Sequence, residues 1–336
     1  MAFSNTYDVT NNGSAVSNRE DLTDVLTILA PEETPVLSSA QKQRASATNT
    51  EWTVDSLSAP STAGIVEGDD ITAFTDQFAG RARMGNYTQK FRRDYRVSDL
   101  QEAVDSVGPA KIAQAEAKAI RELKRDIEAT LCSANVKQQA TAALPYKMTG
   151  LGGFIDSAAA ATTVPVGFTT PATSIYTTAE SAVNDFSETT LNNIISSIFE
   201  VNGVSNGLIL VADVGLRRVI SDFARLSTVA TETSIRNVNY DGGTASIKLS
   251  VEMYQSDHGI VSIVNANPDC MPNFGGATAN SSGYLLNPEF YGVHELIPMG
   301  STRLPNQGGG ERGFVDCALT LGVYHPQAHG LIQDVA

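Results

Sequence analysis

Between Glu51 and Leu131 the sequence runs an extended arm straight into one long amphipathic helix. The arm opens with Glu51-Trp52-Thr53-Val54-Asp55-Ser56-Leu57 and passes an acidic turn, Glu67-Gly68-Asp69-Asp70. It returns through Arg83-Met84-Gly85-Asn86-Tyr87-Thr88-Gln89. Ala59 to Gly80 is mostly Gly, Ala, Ser, Thr and acids. Such a segment cannot build a core, so it predicts a protruding loop. A loop of this kind finds its packing partner on another molecule, which points to self-assembly rather than catalysis.

The helix predicted from Ala110 to Cys132 would extend roughly 35 Å. Gly108-Pro109 supplies its start, because Pro at the first position loses no helical hydrogen bond. Ala113, Ala117, Ile120, Leu123, Ile127 and Leu131 form one apolar stripe. Charged residues, Glu128 among them, occupy the opposite face. The Ala-rich first half suits a helix lying on a sheet better than a coiled coil. On the return strand, Met84, Tyr87, Phe91, Tyr95 and Val97 are the apolar markers, interleaved with Arg81, Arg83, Lys90, Arg92, Arg93 and Arg96. These bases are either a solvated face or a strip that meets Glu67, Asp69 and Asp70 of a neighbouring copy. Pairs at such a rim set register more than affinity.

The chain has 37 acids against 23 bases, a net charge of −14. Sequence-specific nucleic-acid binders carry a basic footprint, so that class is disfavoured. Enclosing nucleic acid without gripping it is compatible with an acidic wall. Cys132, Cys270 and Cys317 are far apart and odd in number, which predicts buried free thiols rather than disulfides. Neither a signal peptide nor an apolar run of membrane-spanning length is read in the sequence.

Residues 1 to about 20 read as a loose polar arm. Asp21 to Ala30 predicts a short helix with Leu22, Val25, Leu26 and Leu29 on one face, stopped by Pro31. Thr34-Pro35-Val36-Leu37 predicts an extended segment stapled to a neighbour. Residues 149–179 are nearly uncharged and read as a surface excursion or a poorly ordered insertion. A helix over Thr189 to Val201 follows, with Phe199 on its apolar side, then a buried strand at Leu208 to Ala212. Next come a short helix at Leu216 to Phe223 with Arg217, Arg218 and Arg225 outward, and a hairpin around Asp241-Gly242-Gly243. Strands are predicted at Gly259 to Asn265 and Tyr284 to Leu286. Val315, Cys317, Leu319, Leu321 and Val323 alternate with the residues between them, a half-buried strand.

Catalytic motifs are missing. Gly150-Leu151-Gly152-Gly153 lacks the third dinucleotide glycine. Pro326 between His325 and His329 opposes helical presentation of both rings to a metal. Gly308-Gly309-Gly310 reads as a turn, the acidic Glu67 turn as solvated, and Asp269-Cys270 has no histidine nearby in sequence. Neither cofactor nor metal is expected.

Five motifs in order resemble the SU10-like group of tailed-phage major capsid proteins, which have the HK97-like capsid fold. They are Thr34-Pro35-Val36-Leu37-Ser38, Glu51 to Leu57, Glu67-Gly68-Asp69-Asp70, Gly85 to Gln89 and Leu123-Lys124-Arg125-Asp126-Ile127-Glu128. The tail through Ala328-His329-Gly330-Leu331-Ile332 is similar as well. The resemblance implies an α+β fold with an N-terminal arm (1–49), an extended hairpin or E-loop (50–97), and a peripheral domain with a spine helix (98–148). An insertion (149–188) and an axial domain with a central mixed sheet (189–283) follow. Residues 284–336 complete that domain and return to the peripheral one through the last strand. It further implies hexamers and pentamers closing into an icosahedral virion shell around double-stranded DNA, assembled in the host cytoplasm. Partners would be a portal protein and separate scaffold or decoration proteins. Some relatives crosslink through a loop lysine, and between Trp52 and Arg81 this chain has none. On this reading Trp52 and Leu57 anchor the arm, Arg81, Arg83, Arg92 and Arg93 pair with the Glu67 turn between subunits, and the Ala117-Ile120-Leu123-Ile127-Leu131 stripe seats the spine. The alternatives are another virion protein, such as a decoration or tail-tube subunit, or a hydrolase using acidic residues.

Overall fold

The structure is a computed structural model. It describes residues 33–78, 80–104, 111–156, 160, 163–177, 186–203, 207–223, 238–241, 244–247, 252–272 and 282–333. The expected helix at Asp21 to Ala30, the Gly108-Pro109 start and Arg225 lie outside these residues.

In chain order the elements begin with α1 (Pro35–Ser39), β1 (Gln41–Arg44), β2 (Asn49–Val54), β3 (Ala82–Tyr87) and β4 (Gln89–Val97). Then come α2 (Asp99–Ala103), α3 (Lys111–Cys132), α4 (Leu151–Ile155), β5 (Ile175–Thr177) and α5 (Glu188–Asn202). β6 (Leu208–Ala212), α6 (Val214–Phe223), β7 (Val238–Asp241) and β8 (Thr244–Ile247) follow. The chain continues through β9 (Met253–Ser256), β10 (Gly259–Asn265), β11 (Gly283–Leu286), β12 (Tyr291–Leu304), β13 (Glu311–Val323) and β14 (Gly330–Gln333).

A four-stranded sheet has the order β1-β12-β13-β4. β1 runs parallel to β12, and the other two pairings are antiparallel. The 22-residue α3 packs on β4 and β13. Its existence follows from the sequence pattern, but its buried face is rotated from the expected stripe. Ala113 and Ala117 are exposed. The core instead takes Ala119, Leu123, Ile127, Leu131 and Cys132, with Ile112, Ala115 and Ile120 partly buried against it. Glu128, expected on the polar face, is 1% exposed. The predicted half-buried strand is β13, and it is half-buried only at first. From Cys317 onward every residue is buried: α3 and α4 contact the strand, and the Thr320 hydroxyl, on the face alternate to Cys317 and Leu319, donates to the Tyr87 carbonyl at 2.9 Å.

A six-stranded mixed sheet has the order β5-β14-β11-β6-β10-β9. β6 is the buried strand expected at Leu208 to Ala212, parallel to β10 and antiparallel to β11. α5 begins at Ser187, whose hydroxyl accepts from the Thr190 amide, and stops at Gly203 in the left-handed conformation. Its Leu191, Ile194, Ile195 and Ile198 are buried, while Phe199 is 40% exposed and stacks on His258. β7 and β8 form the predicted hairpin.

Several expected boundaries move. Thr34 to Leu37 does not extend toward a neighbour. It enters α1, and Val36 is fully buried in the chain's own core. β1 and β4 put parts of the 1–49 arm and the 50–97 loop into the body. Much of the described part of 149–188 is buried rather than a surface excursion. Met148 leads into Leu151, Phe154 and Ile155, all 0% exposed, and Val164, Phe168 and Phe186 are buried too. Its small residues serve close packing: a Cβ at Gly150 would come 2.2 Å from the Ser133 carbonyl. After β13 the chain continues into β14, between β5 and β11 in the six-stranded sheet.

Candidate assembly surface

β2 and β3 pair from Asn49↔Tyr87 to Val54↔Ala82. Beyond them the described residues from 55 to 81 contain no strand or helix. Leu57 is 100% exposed, Ile65 88%, Phe74 87% and Val66 76%. Large apolar side chains at that exposure mark a surface awaiting cover. Glu67, Asp69 and Asp70 are exposed in a turn closed by the Asp69 amide donating to the Val66 carbonyl, 3.1 Å, with Gly68 at φ +83°.

The root of this arm is built into the body. Trp52 packs against Phe154 and Tyr324 of its own chain, with ring centroids 6.2 and 6.1 Å apart. Asn86 is fully buried. Its Nδ2 donates to the carbonyls of Thr149 (3.1 Å) and Leu321 (2.8 Å), and its Oδ1 accepts from the Thr149 amide at 2.8 Å. The arm root, the strand β13 and the lead into α4 are thus tied through one amide. In the sequence Asn86 stood out only as a member of the return-strand motif Gly85 to Gln89, since long-range hydrogen bonding leaves no local signal.

Most of the cationic strip is paired within the chain. Arg81 bonds Asp55 at 2.7 Å and Arg83 bonds Glu51 at 3.2 Å. Lys90 meets Asp316 at 3.0 Å, and Arg93 meets Asp126 at 2.6 Å and Glu122 at 4.0 Å. The Arg81 hydrogen bond holds the Asp55 carboxyl below its ordinary pKa, and Asp126 raises that of Arg93. Arg92 and Arg96 are exposed and make no ion pair among the described residues. Glu67, Asp69 and Asp70 likewise lack an ion-pair partner among those residues. The structure does not bring the acidic turn and the arginines together within one chain.

Glu128 fixes where the chain enters the body. Its two carboxylate oxygens accept the amides of Val36 (2.8 Å) and Leu37 (2.9 Å), the second and third residues of α1. The N-cap Thr34 makes no side-chain cap. A residue 92 positions away therefore satisfies amides that a helix start leaves unpaired. Burial raises the Glu128 pKa against the lowering effect of these two bonds. Tyr291 adds a second tie to α1 through Ser39, 2.6 Å.

The residues weighed for chemistry are structural in their surroundings. All three cysteines are buried thiols. Desolvation pushes Cys270 up to about 11 and Cys317 to about 12, away from thiolate character. His329 is fully buried, with Nδ1 accepting the Asn287 amide at 3.2 Å. No cluster of three metal-ligating side chains occurs among the described residues. None of their helices is long and apolar enough to cross a membrane.

Solved structures similar to this chain include capsids of phages and of a GTA particle. The chain aligns over 100% of itself and of the capsid protein of an empty GTA particle, with TM-score 0.61 and 13% identity. Against the capsid of cyanophage A-1(L) the coverage is 95% of this chain and 97% of that one, with TM-score 0.64 and 14% identity. The capsid of cyanophage P-SCSP1u gives 96% and 95% coverage, TM-score 0.58 and 13% identity. At such identities the likeness is one of fold. No curated protein matches the chain. The family model for the SU10 major capsid protein matches residues 4–336, nearly the whole sequence. This chain belongs to the SU10 major capsid protein family.

Proposed function

We propose that copies of this chain assemble as hexamers and pentamers into the icosahedral head of a tailed double-stranded DNA phage. The observation that carries this reading is the arm from Asp55 to Arg81: its root is locked into the body, while its large apolar side chains are bare. In this reading the arm is the E-loop and lies over an adjacent subunit. α3 is the spine of a peripheral domain built on the four-stranded sheet. The six-stranded sheet forms the axial domain around the local symmetry axis. The contact repeats head-to-tail around a ring, so it is heterologous and closes by rotation. The role is mechanical and not enzymatic.

Leu57 is the strongest candidate for an intersubunit anchor. Trp52 acts from the root, holding the arm at its angle. Arg92, Arg96 and the Glu67 turn are the charges free to set register between copies; Arg81, Arg83 and Arg93 act mainly by stiffening the arm and its base. The acidic shell encloses DNA without reading its sequence, and a portal protein with separate scaffold or decoration proteins completes the head in the host cytoplasm.

Deleting Ala63 to Asp76 tests the reading. The expected product is a soluble, folded subunit with wild-type circular dichroism that forms no closed particles by electron microscopy. Intact shells from this variant would overturn the intersubunit role of the arm.

A further inference from the structure

Among the described elements the chain passes between the two sheets three times: from β4 to β5, from β11 to β12 and from β13 to β14. The three crossings meet at one place. The first brings Gly167 to Thr170 there, the second is the turn Asn287 to Phe290, and the third runs from Tyr324 to His329 through the 3-10 turn Pro326–Ala328. The Thr170 hydroxyl donates to the Pro326 carbonyl at 3.1 Å, and the Gln327 side-chain amide donates to the Gly167 carbonyl at 3.1 Å. The Tyr324 amide donates to the Phe290 carbonyl at 2.8 Å, and the Asn287 amide donates to His329 Nδ1 at 3.2 Å. His325 stands edge-on to the rings of Phe168 and Phe290, at 6.2 and 6.1 Å. One side chain of the third crossing thus touches the other two.

Three of the four histidines gather at this place. His329 is fully buried and faces His325 and the ring of Tyr291. His294 lies beside Tyr324, its Nε2 3.1 Å from the tyrosine hydroxyl. Burial raises the pKa of both tyrosines, which keeps them neutral. Glu128 acts on Tyr291 from α3, and Glu289 in the second crossing is exposed. Among the described residues none of the three imidazoles is in an ion pair.

The protonation of His329 decides one of the ties. Because Nδ1 accepts the Asn287 amide, the neutral ring carries its proton on Nε2. A second proton goes to Nδ1. It sets an N–H against the Asn287 N–H, so two donors oppose each other where a hydrogen bond stood, and it places a charge in a fully buried site. A charge on His325 adds repulsion.

We propose that this meeting point is a proton-sensitive joint: protonating His329 parts the second and third crossings and lets the two sheets change their angle while each stays folded. The sheets remain attached elsewhere, since the Tyr284 hydroxyl on β11 donates to the Cys132 carbonyl at the end of α3, 2.6 Å. Burial lowers the pKa of His325, and brings that of His329 from 6.5 to about 4. The joint is therefore closed above pH 6.5 and opens as pH falls toward 4. It belongs to the single subunit and stands apart from the role of the arm.

The test uses the full-length, unassembled subunit with Arg96→Cys on β4 and Met253→Cys on β9, both exposed positions, carrying nitroxide labels. The three native thiols are buried. Pulsed dipolar EPR should give one narrow distance above pH 6.5 and a distribution about twofold broader near pH 4, reversibly. A second pair, Lys42→Cys with Arg96→Cys, lies within the four-stranded sheet and should not change. His329→Asn should hold the first distance constant across the same range. An unchanged wild-type distance would overturn the joint, as would a change that persists in His329→Asn. Broadening of the reference pair in step with the first would mean that the subunit unfolds as a whole, and would overturn it too. Should the variant fail to fold, NMR of isotope-labelled histidine rings in the wild type decides: the His329 titration and the distance change must share a midpoint, and separate midpoints refute the proposal.

Discussion

Glu128→Ala tests whether the long helix fixes the chain's entry into the body. The substitution removes both acceptors of the Val36 and Leu37 amides in a site that is 1% exposed. Hydrogen bonds to a charged group contribute about 1.5–3 kcal/mol each, so the pair gives about 3–6 kcal/mol. Releasing a buried carboxylate from its desolvation cost offsets part of that loss, and the raised pKa of Glu128 shows that this cost is felt. The net expectation is a loss of about 3 kcal/mol. Glu128→Gln keeps one acceptor and turns an NH₂ toward the other amide, so it should fall between wild type and Ala. Urea unfolding of the unassembled subunit reads the stability, and limited proteolysis around Thr34 to Arg44 reads the release of α1. An alanine variant within about 0.5 kcal/mol of wild type, with unchanged cleavage there, would refute the claim that this carboxylate caps α1.

His329 gives a pH dependence of defined sign. Burial lowers its pKa from 6.5 to about 4, so the unfolded chain binds the proton more readily than the fold does. Stability is full above pH 6.5 and falls by about 3 kcal/mol as pH drops toward 4. His329→Asn retains an acceptor for the Asn287 amide and removes the titration. Its unfolding free energy should lose that much less across this window, and parallel curves for the two proteins would contradict the assignment. Gly150→Ala places a methyl 2.2 Å from the Ser133 carbonyl and 2.7 Å from that of Thr130, both backbone. A cost of about 3 kcal/mol in urea unfolding is expected, and a neutral effect would show that α4 is free to shift from the end of α3.

The elements most legible in the sequence were those whose signal is local. α5 carries its cap and its glycine stop, β6 its apolar run, and β13 its alternation. The presence of α3 was equally plain, but its orientation was not. Alanine contributes too little to a stripe to say which side of the first two turns is buried, and a charged residue such as Glu128 reads as solvent-facing by default. The segment from Thr149 to Ile155 was misread because small uncharged residues suit both loose loops and the tightest packing. The pairing of arginines with a neighbour was inferred from opposite charge alone. Asp55, Glu51, Asp316 and Asp126 proved nearer within the same chain. The arm without a core was visible in the sequence, while its locked root depended on Asn86 and Trp52 contacts that only the three-dimensional arrangement creates.

The place of β14 has a consequence for how the subunit is made. Because Gly330–Gln333 lies between β5 and β11, the strand near residue 175 has no neighbour until residues some 155 positions later leave the ribosome. Nascent chains can fold α5, α6 and the β6–β10 pairing early, yet they carry an unfinished sheet until Gly330–Gln333 has been made. Long-range closure of this kind is slow, and it keeps partial polypeptides from presenting the finished surfaces that complete subunits offer one another.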